Sequence, residues 1–193
     1  MKTKIGIIGK GRVGVALARG LERAGYAVQT TGNDAQAVSG VGRWADTLIL
    51  AVPFGAIDAA LAALGATVDG KVLVDVSNAL TPDFRLAIGF STSGGEELQR
   101  KAPRAKVVKA FNTLFSHHMD SGRTKGQQLS AFVAGDDADA RKHVVGLAAA
   151  IGFDGVDAGP LANARLLEPL GYLNIQLGLT LGMGPGIGFQ LIR

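Results

Sequence analysis

The sequence contains no cysteine, which excludes disulfides, thiolate metal sites, iron–sulfur clusters and a cysteine nucleophile. Charge is also sparse. Charged residues make up 19% of the 193, and the formal net charge is only +4. Lys and Arg are scattered, with no basic run of five, which argues against nucleic acid as a partner and leaves the charge as help in holding a phosphorylated ligand. No apolar run reaches the roughly 20 residues that a membrane span requires. The most apolar late stretch, Leu166 to Met183, is interrupted by Glu168, Pro169, Asn174 and Gln176. The apolar core of Met1 to Gly9 is too short for a signal peptide. The expectation is a soluble cytoplasmic protein with no membrane partner. No Ser-His-Asp order and no metal-ligand spacing stands out. His117 and His118 are neighbours that do not face the same way on a helix, and they read as surface or local packing. His143 lies mid-helix and reads as solvent-facing.

Glycine, by contrast, is plentiful at 28 residues, and hydrophobic residues reach 47%. Short apolar runs alternate with helical spacing. Strands are expected at Lys4–Ile8, Tyr26–Thr30, Thr47–Val52, Lys71–Val76, Lys106–Phe111, Leu129–Ala134 and Val156–Ala158. Helices are expected at Arg12–Arg23, Asp34–Val41, Ile57–Leu64, Glu96–Lys101 and from Asp136 to about Ile151, with a long final helix opening at Pro160. This alternation predicts an α/β fold: a Rossmann-type, doubly wound parallel sheet with a small C-terminal α/β extension ending in a long helix. Residues 1–119 read as a dinucleotide-binding domain. Residues 120–193 read as a smaller part packed on it, and the whole can count as one domain.

Gly9-Lys10-Gly11-Arg12-Val13-Gly14 matches G-x-G-x-x-G between an expected strand and an expected helix, the setting in which the motif has meaning. The first glycine permits a tight turn, the second lets the backbone approach a pyrophosphate, and the third lets helix and strand pack closely. An NAD enzyme carries an acid at the end of the second strand to bind the ribose 2′-OH. Here the strand ends Gln29-Thr30-Thr31-Gly32-Asn33. Thr30, Thr31 and Asn33 offer neutral donors, and Lys10 or Arg12 adds charge, which favours NADP and leaves NAD possible. Asp34 either caps a short helix or disfavours the phosphate. Further along, Val52, Pro53 and Phe54 close the third strand, Ser77 and Asn78 the fourth, and Asn112 the fifth. The nicotinamide end of the cofactor is expected to cross these tips. Lys109 with Asn112 suggests a proton donor for a small-molecule dehydrogenase, but a solvated Lys109 is slightly preferred. A dinucleotide-binding redox sensor without turnover is a third alternative.

The chain resembles the NADPH-dependent coenzyme F420 reductases and their bacterial relatives, whose fold also occurs in the cytoplasmic reductase domain of the STEAP metalloreductases. The resemblance covers essentially the full length. It rests on the Gly9 loop, Val74-Asp75-Val76-Ser77-Asn78, Ser91-Thr92-Ser93-Gly94, Val107 to Thr113, the Gly186–Phe189 segment and, most specifically, Asp157 to Arg165 followed by Leu167-Glu168. It implies hydride transfer between NADP and a deazaflavin. The nicotinamide would lie near Pro53, Phe54, Ser77 and Asn112, and the second ring system over it from the C-terminal side. The second-strand tip lacks the family's Ser-Arg-type phosphate clamp, and Lys109 to Thr113 matches the bacterial and STEAP-like branches better than the archaeal one. A flavin or another small oxidant therefore stays open as the second substrate. Finally, the last helix, about Leu161 to Leu181, carries leucines on more than one side. That pattern predicts a homodimer through this helix.

Overall fold

The computed structural model describes residues 3–193; Met1 and Lys2, part of the segment read above as a first strand without a signal peptide, lie outside the described residues. Seven strands form one sheet in the order β2-β1-β3-β4-β5-β8-β9. They are β1 (Lys4–Ile8), β2 (Ala27–Thr31), β3 (Thr47–Leu50), β4 (Val72–Asp75), β5 (Lys106–Ala110), β8 (Ser130–Gly135) and β9 (Asp154–Asp157). A separate two-stranded ribbon pairs β6 (Arg123–Thr124) with β7 (Gln127–Gln128). The helices are α1 (Arg12–Arg23), α2 (Ala35–Trp44), α3 (Ile57–Leu64), α4 (Gly94–Lys101), α5 (Ala138–Ile151) and α6 (Ala164–Ile175), the last continuing into a π-helical turn at Gln176–Thr180.

Strand alternation divides the core between two faces. Ile49, Val74 and Val108 pack with Leu17 and Leu21 of α1 and Val144 and Leu147 of α5. Leu48, Leu50, Leu73 and Val107 pack with Val38 of α2, Leu64 of α3 and Leu98 of α4. Both faces are therefore covered, which is why the middles of these strands are apolar on both sides.

The expected doubly wound parallel sheet with its C-terminal α/β extension is present, and one strand of the extension is reversed. Strands β1 to β5 are parallel, but β8 runs antiparallel to β5, with Val108 opposite Gly135 and Ala110 opposite Val133. The physical reason is the connection. Between β5 and β8 there is a single 3-10 turn and the β6–β7 ribbon, and no α-helix to carry the chain back across the sheet. A parallel return requires such a crossover. After β8, α5 provides one, and β9 is parallel to β8.

His143 is also corrected. It is half-buried, and its Nε2 lies 3.0 Å from Thr47 Oγ1. Burial holds its pKa below the ordinary histidine value. His118 is buried against the C-terminal segment, with Nε2 2.9 Å from the Pro185 carbonyl, while His117 is exposed. Asp34 accepts from the Ala37 amide as the N-cap of α2.

Candidate dinucleotide site

The strand order reverses beside β1, with β2 on one side and β3 on the other. In open α/β sheets the ligand crevice forms at such a switch, outside the strand carboxyl ends. A cleft of about 480 Å³ lies there, lined by Gly9, Lys10 and Gly11 after β1, Gly32 and Asn33 after β2, and Ala51, Val52 and Pro53 after β3. Ala56, Ala59, Ala60 and Ala63 supply its far wall. Their small side chains leave room for a flat group.

The three loop glycines have different local reasons. Gly9 has φ +123°, and a Cβ there would fall 2.1 Å from the Ala51 carbonyl oxygen. A Cβ at Gly14 would fall 2.1 Å from the Gly9 carbonyl oxygen. Both are demanded by the fold. A Cβ at Gly11 would meet no protein atom within 4 Å. That glycine faces the cleft, where a ligand's backbone needs the approach. Helix α1 begins directly after it, with no side-chain cap and no acid in its first turn. Its free N–H groups and positive dipole end suit an anion, so the residues present fit a dinucleotide pyrophosphate.

Of the other expected residues, Lys10 and Arg12 are exposed at the loop and Val13 is half-buried. Asn33 is exposed at the cleft, Thr30 is half-buried, and Thr31 is buried, its carbonyl accepting the Gly9 amide at 2.8 Å. Phe54 lies against the start of α4: a Cβ on Gly94 would be 3.1 Å from its ring. Asn78 Nδ2 donates to the Asn112 carbonyl (2.9 Å), and Asn112 Nδ2 donates to Asn78 Oδ1 (3.0 Å) and to the Leu167 carbonyl (2.8 Å). Phe111, with φ 63°, makes the left-handed turn that ends β5 just before Asn112. Asn112 Oδ1 is buried with no hydrogen-bond partner. The Ser77 hydroxyl donates to Asp75 Oδ1 at 2.7 Å, so toward a ligand it is left to accept.

Lys109 is not a solvated charge. It has 0% exposure, and its Nζ meets Asp75 Oδ2 (2.6 Å), the Ser77 carbonyl (2.8 Å) and Glu168 Oε1 (2.8 Å). Three acceptors match the three donors of an ammonium, so none remains for a substrate in the cleft. Burial pushes its pKa down, but Asp75 and Glu168 outweigh that and hold it above the ordinary lysine value. Glu168 in turn accepts from the Gly94 and Gly95 amides at the start of α4 (2.9 and 3.1 Å).

Sequence reasoning missed Glu168 as the partner of Lys109, reading it as an interruption of an apolar stretch and as the end of the late motif. The available signal was an acid set among leucines on one helix, complementary to a lysine in a buried strand. The distinctive late block is likewise a weld between elements. Asn163 Nδ2 donates to the Ala158 carbonyl, and Arg165 makes a two-pronged pair with Glu96. That pair holds the Glu96 carboxyl below its ordinary pKa.

No family model matches the chain. Metalloreductase STEAP3 of Rattus norvegicus is 28% identical over 179 residues, covering 86% of this chain and 36% of that protein. Metalloreductase STEAP2 of Homo sapiens is 31% identical over 117 residues, covering 60% and 22%. The chain thus spans about a third or less of the length of these curated relatives. A crystal structure of a protein assigned as an F420-dependent NADP reductase, from an Arthrobacter species, superposes with a TM-score of 0.91 at 31% identity, covering 100% of both chains. The chain belongs to the F420-dependent NADP reductase family. A hypothetical protein of Sinorhizobium meliloti superposes with a TM-score of 0.74 at 27% identity, covering 100% of this chain and 96% of the other. An imine reductase of Myxococcus stipitatus, solved with NAD+, shares the fold alone at 15% identity and a TM-score of 0.69 over 92% of this chain and 61% of its own. Among the described residues, no helix is long and apolar enough to cross a membrane, and no group of three or more His, Asp or Glu is placed to hold a metal.

Proposed function

We propose that this protein is an NAD(P)-dependent oxidoreductase that transfers a hydride between NADP(H) and a flat ring acceptor, the deazaflavin coenzyme F420 or a flavin. The observation that carries the reading is the glycine loop. Gly9 and Gly14 are closed by backbone, and Gly11 opens on a cleft at the sheet's switch point. Family membership supports the same chemistry.

The bound dinucleotide supplies the hydride chemistry, and the chain supplies binding and orientation. Gly11 and the amides opening α1 hold the pyrophosphate. Lys10, Arg12, Thr30, Thr31 and Asn33 surround the ribose end of the second strand. The second strand itself ends without a carboxylate, and the nearby Asp34 turns one oxygen to the cap of α2. Val52, Pro53 and Phe54 border the nicotinamide, and Ser77, Asn78 and Asn112 offer polar groups to its ribose and carboxamide. The unpartnered Asn112 Oδ1 matches the carboxamide N–H in chemistry. Two flat rings held face to face need little acid–base help, since orientation alone removes much of the barrier.

The test is absorbance of NADPH mixed with protein and either oxidised coenzyme F420 or flavin mononucleotide. Folded protein that oxidises NADPH with neither acceptor refutes the reading. Transfer of deuteride from labelled NADPH excludes a sensor without turnover.

We further propose that the protein is a homodimer through α6. Its inward stripe is mixed, with Ala164, Leu167, Glu168, Gly171 and Asn174, while Leu166 (66% exposed) and Leu173 (48%) face outward, followed by exposed Leu179 and Leu181. Leucines left outside on one face call for a covering surface.

A further inference from the structure

Beneath the strand tips lies a buried set of three charges, Asp75, Lys109 and Glu168, whose side chains are 0%, 0% and 1% exposed. All four carboxylate oxygens accept hydrogen bonds. Asp75 Oδ1 takes the Ser77 amide and hydroxyl, and Oδ2 takes Lys109. Glu168 Oε1 takes Lys109 and the Gly95 amide, and Oε2 takes the Gly94 amide. Apart from the Ser77 hydroxyl, every partner is an N–H group, which has no lone pair to receive a carboxyl proton. This donor set is the complement of two carboxylate anions. With one ammonium between them, the set carries a net charge of −1. The start of α4 returns roughly half a unit of positive charge, so the cluster stays negative.

We infer that this anionic triad stabilises the oxidised, cationic nicotinamide over the reduced one and so favours hydride loss from NADPH within the bound complex. The inference rests on the proposed function, which lays the nicotinamide across Ser77 and Asn112. Asp75 touches Ser77 directly, two residues below the tip, roughly 7 Å along a strand. When a hydride leaves the reduced ring for the acceptor ring, the nicotinamide gains one positive charge. The acceptor takes the electron pair and then one proton from water. A fixed negative charge at that range, in a medium of effective dielectric about 20, favours the cationic ring roughly five- to tenfold. The charge is buried and anchored at every oxygen, so it needs no reorganisation as the ring changes charge. Asp75, Lys109 and Glu168 are positioning and electrostatic residues; none of them reaches the cleft.

The experiment compares NADP+ and NADPH dissociation constants by calorimetry in the wild type, Glu168→Gln and Asp75→Asn. Each variant neutralises the triad. Each substitution removes a full unit of negative charge, twice the residual half unit, so the expected result is a ratio of Kd(NADP+) to Kd(NADPH) that rises roughly tenfold or more, mainly through weaker NADP+ binding. A purely structural role would weaken both dinucleotides alike and leave the ratio unchanged; a ratio within twofold of wild type in the folded variants overturns the inference. Should neither variant fold, the wild type decides: NADP+ binds at least as tightly as NADPH, and a clear preference for NADPH overturns it. Wild-type protein that binds neither dinucleotide refutes the proposed function itself, and this inference with it.

Discussion

Replacing Gly11 and Gly14 one at a time by alanine separates two demands that the glycine motif writes with the same letter. At Gly14 the new methyl would lie 2.1 Å from the Gly9 carbonyl oxygen. No side chain can yield there, so α1 must retreat from the loop. Overpacking of this kind costs about 1–3 kcal/mol, and more where backbone moves. Alanine's better helix propensity returns up to about 1 kcal/mol. The net loss is about 2 kcal/mol, a fall in Tm of roughly 4–8 °C for a chain of this size. At Gly11 the backbone is φ −74°, ψ −178°, which any residue adopts, and nothing lies within 4 Å of the new methyl. Its Tm should stay within about 2 °C of wild type. The methyl instead occupies the approach of the pyrophosphate, so NADPH binding should weaken at least about tenfold. Thermal unfolding by circular dichroism and titration calorimetry measure the two effects. A Gly11→Ala protein that binds NADPH like wild type, or that loses as much Tm as Gly14→Ala, refutes the assignment of roles within the loop.

Lys109→Met leaves two buried carboxylates without their cation and should destabilise the fold by about 3–5 kcal/mol, read as a lowered urea midpoint; a midpoint within error of wild type would contradict the charge network. Because the folded Lys109 pKa is raised, its stabilisation is fully present below the unfolded lysine value of about 10.4 and is lost only as pH rises through the higher folded value. A stability profile in which Lys109→Met costs as much at pH 9 as at pH 7 checks that sign. His143 has the opposite sense: burial lowers its pKa, so stability is full above about pH 6.5 and falls as pH drops toward the folded value. His143→Gln should flatten that part of the acid slope, and an unaltered slope between pH 6.5 and 5 would exclude the cause. Leu173→Glu should convert the dimer to monomer in sedimentation at micromolar concentration, while a wild type that sediments as a monomer removes the proposed interface.

The parts of this architecture that are local were readable in the sequence. The Gly9 loop, the five strands that follow helical spacing, and the capping role open to Asp34 each depend on a few consecutive residues. The direction of β8 was not readable, because it depends on what the chain does between Asn112 and Leu129, where no helical pattern exists to report a crossover. Lys109 was misread for a similar reason. Its lysine character suggests solvent, and the acids that neutralise it come from β4 and α6, related to it by no spacing rule. In α5, alanines lie on both sides, so the face carrying His143 had little contrast to identify it. In α6 the outward leucines were legible as unpartnered, but Glu168 and Asn174 were read as breaks, when both pack inward.

The charge triad also imposes an order on folding. A chain leaving the ribosome completes the glycine loop and all five parallel strands before Glu168 is synthesised. Until then Lys109 has Asp75 alone, and the amides of Gly94 and Gly95 have no carboxylate to receive them. Docking of α6 is therefore the closing event that seals the floor beneath the strand tips. A nascent or truncated chain ending before Glu168 lacks the carboxylate that ties Lys109 to the start of α4, at the end where hydride transfer is proposed. Completion of synthesis and completion of the reactive end of the cleft become the same step.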